Sequence, residues 1–475
     1  MSNKAKIFEF LYKNSENSYN INQIARLVRI SVGSAFSILK KFEARDYVAV
    51  ENKNNERLYR ISLSGKTKEE YSAIEEEKNC KARKKTKIIC TIGQNSNDTG
   101  FIRNLIDKGM DAARIDVSAF NETGILKSIG NIRSASDNIP IILDVPKSSQ
   151  SSIKRWVKFA LKNDLDFICL SFIRNAGDIR KINNYLGYKD ITQVIGSRIK
   201  VIVKMDKDAI MNYKEIVQET YGVMINGDSL VADSKYETLP VLQRMIIGEC
   251  NKNGKPAIIA TEILESMIDN PNPKKSEVSG IANAVLDGAS CLMLSRGTSE
   301  GKFPFEAVKT MSRIIKNVEN EPVLENTEHW KSKSSADFIG DAMLGMESSW
   351  KIDAILAITS GGYSARMISG RRLRCRVIAA TSSKKVFRQL NILWGVEPLF
   401  IDVDLEDISN NEKGEAILKA LKKGFIKKSD QIAIIASVFH SNSKRSNLLE
   451  VHKVDEFLNY IHDKGKKEIK ISGAN

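Results

Sequence analysis

Histidine is scarce in this sequence. There are four, and no two stand at metal-ligand spacing, which argues against a zinc centre. The six cysteines, Cys80, Cys90, Cys169, Cys250, Cys291 and Cys375, form no C-x-x-C pair. Cys90, Cys169 and Cys291 lie in apolar, strand-like runs and read as free core thiols. No apolar stretch approaches the ~20 residues needed to span a bilayer. The start, Met1 to Phe10, carries Lys4, Lys6 and Glu9 and lacks a signal-peptide core, so a cytoplasmic protein without a membrane partner is expected. Acidic residues are also in the minority, and the net charge is +15. Between Met1 and Lys66, 12 Lys and Arg stand against 6 Asp and Glu. Such a balance suits nucleic acid or phosphorylated metabolites. With 475 residues, 42% hydrophobic and 28% charged, the chain has room for two to four globular domains.

Residues 1–66 show three helical periods and a hairpin. Ile7, Phe8 and Leu11 mark the first helix, and Ile21, Ile24, Ala25 and Val28 the second. A turn over Arg29 to Gly33 leads to a third, Ser34 to Arg45, with Phe36, Leu39 and Phe42 facing inward. Val48–Glu51 and Arg57–Leu63 read as strands joined by the polar link Asn52–Asn55. Three short helices and a basic hairpin resemble a winged helix-turn-helix. That resemblance implies contacts to double-stranded DNA from Ser31, Ser34, Ser37, Lys40 and Lys41, and from Lys53, Arg57 and Arg60 on the wing. Residues 67–85, dense in glutamate and then lysine, read as a helical linker.

From Lys87 to about Ile315, eight apolar runs alternate with amphipathic helices. They are Lys87–Ile92, Ala112–Val117, Pro140–Val145, Asp166–Phe172, Ile199–Met205, Tyr221–Ile225, Ala257–Ile263 and Cys291–Leu294. Eight strands with intervening helices predict a (β/α)₈ TIM barrel over residues 86–325. The alternation restarts near Trp330 with Ala354–Ile358, Arg376–Ala380, Pro398–Ile401, Gln431–Ser437 and a last strand near Glu450–Val454. This predicts an open α/β domain over residues 326–475. Lys204-Met205-Asp206 and Asn226-Gly227-Asp228 each end a strand. A lysine beside two acids at one end of a sheet can hold a divalent cation and an anionic oxygen together.

Many strings in order resemble pyruvate kinase. They include TKIICTIG (86–93), GMDAARIDVS (109–118), DFICLSFIR (166–174), GKPAIIATEILESM (254–267), NPNPKKSEVSGIANAVL (270–286), TSGGYSAR (359–366) and RQLNILWGVEP (388–398). The resemblance implies that Arg114 binds the phosphate of phosphoenolpyruvate and that Lys204 stabilises charge on the enolate. Asp206 and Asp228 would ligate Mg²⁺, with Asp206 standing where the family has Glu. Gly227 and Asp228 would begin a helix that holds the substrate carboxylate. Thr261 would sit on the proton path. Ser118 and Asp144 match ligands of a K⁺ site. Thr359, Ser360, Gly362 and Ser364 match a loop that binds a sugar-phosphate effector, with Lys444 and Arg445 in a neighbouring loop.

One part of the family pattern is absent. Asp144 is followed by Val145 to Ser149, and a helix begins by Ser152, so no inserted lid domain fits there. Other departures are Gln94, Asp116, Ala119, Val145, Asn226 and Arg296-Gly297. They fall on the nucleotide and cation side. A basic first module, a missing lid and a retained acid site together lead to the expectation of a DNA-binding regulator that senses phosphoenolpyruvate or a related phosphorylated metabolite with Mg²⁺. The alternatives are an active pyruvate kinase of glycolysis, or a lidless enzyme that enolises or decarboxylates a keto acid. The resemblance also implies a homodimer or homotetramer.

Overall fold

Periodic apolar residues and well-placed caps build the first unit. The computed structural model describes residues 3–53, 56–68, 84–146, 150–186, 198–231, 236–321, 335–403, 405, 408–436 and 447–461. Helix α1 (Asn3–Lys13) buries Ala5, Ile7, Phe8 and Leu11. A short strand β1 (Tyr19–Asn20) leads into α2 (Ile21–Val28). Asn20 caps α2 reciprocally with Gln23, each side chain accepting the other's backbone N–H at 2.9 Å. Ser31 caps α3 (Val32–Glu43), which buries Ala35, Leu39 and Phe42. That spacing sets the inward face. Phe36, expected to point inward, lies about 100° around the helix from Ala35 and is 52% exposed. Strands β2 (Val48–Lys53) and β3 (Glu56–Ile61) complete a sheet of order β1-β3-β2. Lys53 pairs with Glu56, so the strands run into the link expected at Asn52–Asn55. Most of the expected linker helix, with Cys80, lies outside the described residues.

The chain divides after Arg83, and Lys84 onward forms a second compact unit. Its first part is a closed barrel of eight parallel strands. They are β4 (Lys87–Thr91), β5 (Ala112–Asp116), β6 (Ile141–Val145), β7 (Phe167–Leu170), β8 (Lys200–Met205), β9 (Gly222–Ile225), β10 (Ala257–Ile259) and β11 (Cys291–Leu294). Alternation along each strand fills the interior with Ile89, Ala112, Ile142, Phe167, Cys169, Ile202, Met224, Ile258, Cys291 and Met293. The opposite parity packs on the surrounding helices. Several strands end sooner than their apolar runs. Phe172, expected at the end of β7, has φ 65° and is 37% exposed. Between β6 and the helix Gln150–Lys162 lie only residues 146–149. Cys90, Cys169, Cys250, Cys291 and Cys375 are free thiols.

The second part is a five-stranded sheet. It comprises β12 (Ala354–Ile358), β13 (Arg376–Thr381), β14 (Val396–Phe400), β15 (Gln431–Ala436) and β16 (Leu448–Lys453), in the order β14-β13-β12-β15-β16. Only the β15–β16 pair is antiparallel. This sheet domain closes the barrel's floor, where the strands begin. Ile392 joins the interior cluster, and the Cys291 thiol donates to its carbonyl at 3.2 Å. Arg388 bonds Asp166 and Asp164, each at 2.7 Å. Arg372 donates to the carbonyls of Gly288 and Ala289 and to Asn251, and lies over Trp394. Among the described residues, no helix is long and apolar enough to cross a membrane.

Candidate active site

Strand parity brings the charged residues together at the barrel's mouth. Ile89, Ala112, Ile142 and Ile202 point inward. Two residues further along the same strands come Thr91, Arg114, Asp144 and Lys204. All four therefore face the axis at the strands' C-terminal ends. Arg114 donates through Nε to Asp144 Oδ2 at 2.8 Å, through Nη1 to Thr91 Oγ1 at 3.1 Å, and through Nη2 to Asp116 Oδ2 at 2.6 Å. Lys204 Nζ donates to the same Asp144 Oδ2 at 2.9 Å. Asp144 is 1% exposed, and its other oxygen, Oδ1, is buried without a partner among the described residues.

Two cations and two carboxylates hold this cluster near neutrality. Burial opposes the charged form of Arg114, but Asp144 and Asp116 outweigh it and raise the guanidinium's pKa. Burial likewise opposes the Lys204 ammonium, and Asp144 again wins, so its pKa is raised. Lys204 is therefore a fixed cation and not a proton acceptor at neutral pH. For Asp116, burial raises the pKa, but Arg114 and the hydrogen bonds from Ser118 bring it below the ordinary value.

The expected Mg²⁺ ligands are placed differently from each other. Asp206 follows β8, and its Oδ1 caps the helix Lys207–Ile210 by accepting from Asp208 N and Ala209 N, each at 3.1 Å. The backbone of Asp228 lies in the helix Gly227–Val231, while its side chain is outside the description. Among the described residues, no group of three or more His, Cys, Asp or Glu could hold a metal by itself. Gly227 meets Thr261 closely. A Cβ at Gly227 would stand 2.9 Å from Thr261 Cγ2. Thr261 sits two residues beyond the end of β10, although its run suggests a longer strand. Ser118 is exposed and bonded to Asp116, not to Asp144. The buried, unpartnered Asp144 Oδ1 does fit a small cation.

Thr91 and Asp116 are members of this cluster that the sequence reading does not single out as ligands. Their alternation with Ile89 and Ala112 was the available signal. The expected effector loop lies elsewhere, at the start of the helix Tyr363–Gly370. Gly362 there has φ 80°, a conformation open to glycine, and its N–H donates to Thr359 Oγ1 at 2.9 Å. Thr359 and Ser364 are buried, whereas Ser360 is exposed. Lys444 and Arg445 lie outside the described residues.

In the first unit, the expected DNA-contacting residues are mostly exposed but partly engaged. Ser31 caps α3 and its hydroxyl donates to Ser34 at 2.9 Å. Arg57 pairs with Glu43 at 2.5 Å and Arg60 with Glu51 at 3.7 Å. Ser37, Lys40, Lys41 and Lys53 are exposed.

Residues 138–308 match the protein-family model for the pyruvate kinase barrel domain, and residues 337–452 that for its alpha/beta domain. Both matches leave the first unit outside. The chain is 31% identical over 362 residues to a pyruvate kinase of Clostridium acetobutylicum, covering 74% of each chain. It is 32% identical over 322 residues to pyruvate kinase 2 of Synechocystis sp., covering 68% of this chain and 53% of that one. A pyruvate kinase of Dictyostelium discoideum is 32% identical over 328 residues, covering 66% and 62%. The matched part thus spans from about half to three quarters of these relatives' length. These similarities overturn the expectation of a DNA-binding regulator, because relatives at about this identity are named as the enzyme. Pyruvate kinases use Mg²⁺ and K⁺. A barrel with Arg114 and Lys204 converging on Asp144 at its mouth, followed by this α/β domain, belongs to the pyruvate kinase family.

Proposed function

We propose that the protein transfers the phosphoryl group of phosphoenolpyruvate to ADP, giving pyruvate and ATP. The observation that carries this reading is the convergence of Arg114 and Lys204 on Asp144 in a buried, near-neutral cluster. The Arg114 fork suits a phosphoryl group, which would replace Asp116 on Nη2. Lys204 stays protonated and faces the enolate oxygen that develops as the phosphoryl group leaves. Asp206 and Asp228 would hold Mg²⁺, which supplies positive charge to the reacting oxygens when bound. Asp144 Oδ1 would hold K⁺. The N-terminus of Gly227–Val231 receives the substrate carboxylate, and Thr261 beside it moves the proton at the enol carbon. Pyruvate formation from phosphoenolpyruvate and ADP, with Lys204→Met as the blank, tests the proposal. Activity no higher than that blank discards it.

The four-residue connection from β6 to the helix Gln150–Lys162 favours a second reading, an enzyme that only enolises or decarboxylates a keto acid. Lids exclude water from phosphoryl transfer, and four residues are too few to form one. Deuterium entry into the methyl group of pyruvate without ADP, in a protein inactive with ADP, would select this reading.

Exposed Val241 and Met245 on Leu239–Lys252, with Leu286 on Lys275–Leu286, support assembly as a homodimer or homotetramer. Sedimentation as a monomer would remove that part. The three helices and small sheet of the first unit support a winged-helix architecture. Exposed Leu27, Val32 and Phe36 on α2 and α3 suit docking to protein. Phe36→Glu should change the association state seen by light scattering, and an unchanged state discards this docking role.

A further inference from the structure

At the floor of the barrel, three buried cations stand together with no bonded acid among the described residues. Lys200 starts β8 and is 6% exposed, Lys255 precedes β10 at 9%, and Arg366 lies on Tyr363–Gly370 at 8%. The Tyr221 ring packs near two of them. The Arg366 guanidinium lies 4.9 Å from the Tyr221 ring centroid, and Lys200 Nζ lies 5.9 Å from it. Among the described residues, Lys255 Nζ bonds two carbonyls, those of Thr220 at 2.5 Å and Gln218 at 3.3 Å. Arg366 Nε is buried with no hydrogen-bond partner among the described residues. Lys200 Nζ and the Tyr221 hydroxyl have none either among the described residues.

The neighbouring acids are already taken. Asp166 accepts from Arg133 and Arg388, Asp164 accepts from Lys385 and Arg388, and Glu219, which acts on Lys255, pairs with Arg180 at 3.0 Å. Lys385 and Arg198 add further repulsion, and burial with these cations pulls the Lys200 pKa down to about 7. Burial and Arg366 hold Lys255 well below its ordinary value too. Buried charges are ordinarily paired, since an isolated one is costly. Basic groups gathered around one buried ring, with no acid bonded to them among the described residues, are the complement of an oxyanion.

We infer that Lys200, Tyr221 and Arg366 form a binding site for a small dianionic oxyanion of the phosphate class, at the junction of barrel floor and α/β domain. The site lies at the strand ends opposite the mouth, so it stands apart from the proposed reaction. Its ligand is either free phosphate or the terminal group of a small phosphomonoester.

Calorimetric titration of the full chain tests this in buffer free of other oxyanions, with inorganic phosphate and then with glycerol 3-phosphate. The expected result is saturable phosphate binding that survives Lys204→Met and Lys200→Arg. It should weaken at least tenfold in Lys200→Met and in Arg366→Leu. Glycerol 3-phosphate binding with the same dependence on Lys200 would assign the phosphomonoester. Its failure beside successful phosphate binding would assign the free ion. Should Arg366→Leu not fold, Lys200→Met decides alone, since it removes a repulsive charge and keeps the stem. No binding to the unaltered protein overturns the proposal. So does binding that is indifferent to Lys200, and so does binding abolished by Lys204→Met.

Discussion

Lys200 and Lys204 sit on one strand with the same parity, about 13 Å apart at ~3.3 Å per residue. Both are largely removed from water. Lys204, at the mouth, bonds Asp144, and its pKa is raised. Lys200, at the floor, meets Tyr221, Arg366, Lys385 and Arg198, and its pKa falls to about 7. Burial opposes charge in both cases, so burial does not separate them. The partner does. A carboxylate at 2.9 Å fixes one lysine as a cation, and a ring of cations leaves the other ready to lose its proton or to gain an anion.

The strongest way to break this comparison is at the mouth. Lys204→Met should lower the rate of pyruvate formation by on the order of 10²–10³-fold, with a smaller change in KM. Steady-state kinetics check this, and a loss confined to KM would reassign Lys204 to binding. Asp144→Ala should cost about 3–5 kcal/mol in a urea titration, because Arg114 and Lys204 would remain buried around a missing acid.

Smaller effects sharpen the same contrast. Gly227→Ala should cost about 1–3 kcal/mol, because its Cβ meets Thr261 Cγ2 at 2.9 Å and Leu239 Cδ2 at 3.2 Å. Adding Thr261→Ser removes the first of those groups and should recover part of the loss in a double-mutant cycle. At the floor, pH provides the gentlest test. Stability rises with pH wherever the unfolded chain binds more protons. Lys200 releases its proton near pH 7 when folded, and near its ordinary 10.5 when unfolded. Without phosphate, Lys200→Met should therefore exceed the unaltered protein in stability at pH 6. That advantage should shrink as pH rises from about 7 towards 10. A gap constant over that range would show that Lys200 keeps its proton.

Much of the mouth was legible because parallel barrel strands carry a strict alternation. Arg114, Asp144 and Lys204 each follow an inward apolar residue by two positions, which places them on the axis once the strands are known. The Gly227–Val231 helix was equally readable from its glycine after β9. The first unit was legible as helices and hairpin, but its role was not. Basic composition counts charges and cannot show that Arg57 and Arg60 already face Glu43 and Glu51. Phe36 failed for a related reason, since only packing chose which of two adjacent faces of α3 turned inward.

Local pattern by itself determined the eight-strand count, the direction of the side chains along each strand and the short connection after β6. These depend on periods of two and 3.6 residues and on chain length, which neighbours in sequence carry. Tertiary structure alone decided which charges meet. It brought Arg366 from position 366 to Tyr221 at position 221, and left Asp144 Oδ1 without a partner among the described residues while Oδ2 received two cations. Electrostatic energy depends on distance in space and on exclusion of water, and neither quantity is written in the spacing of residues along the chain.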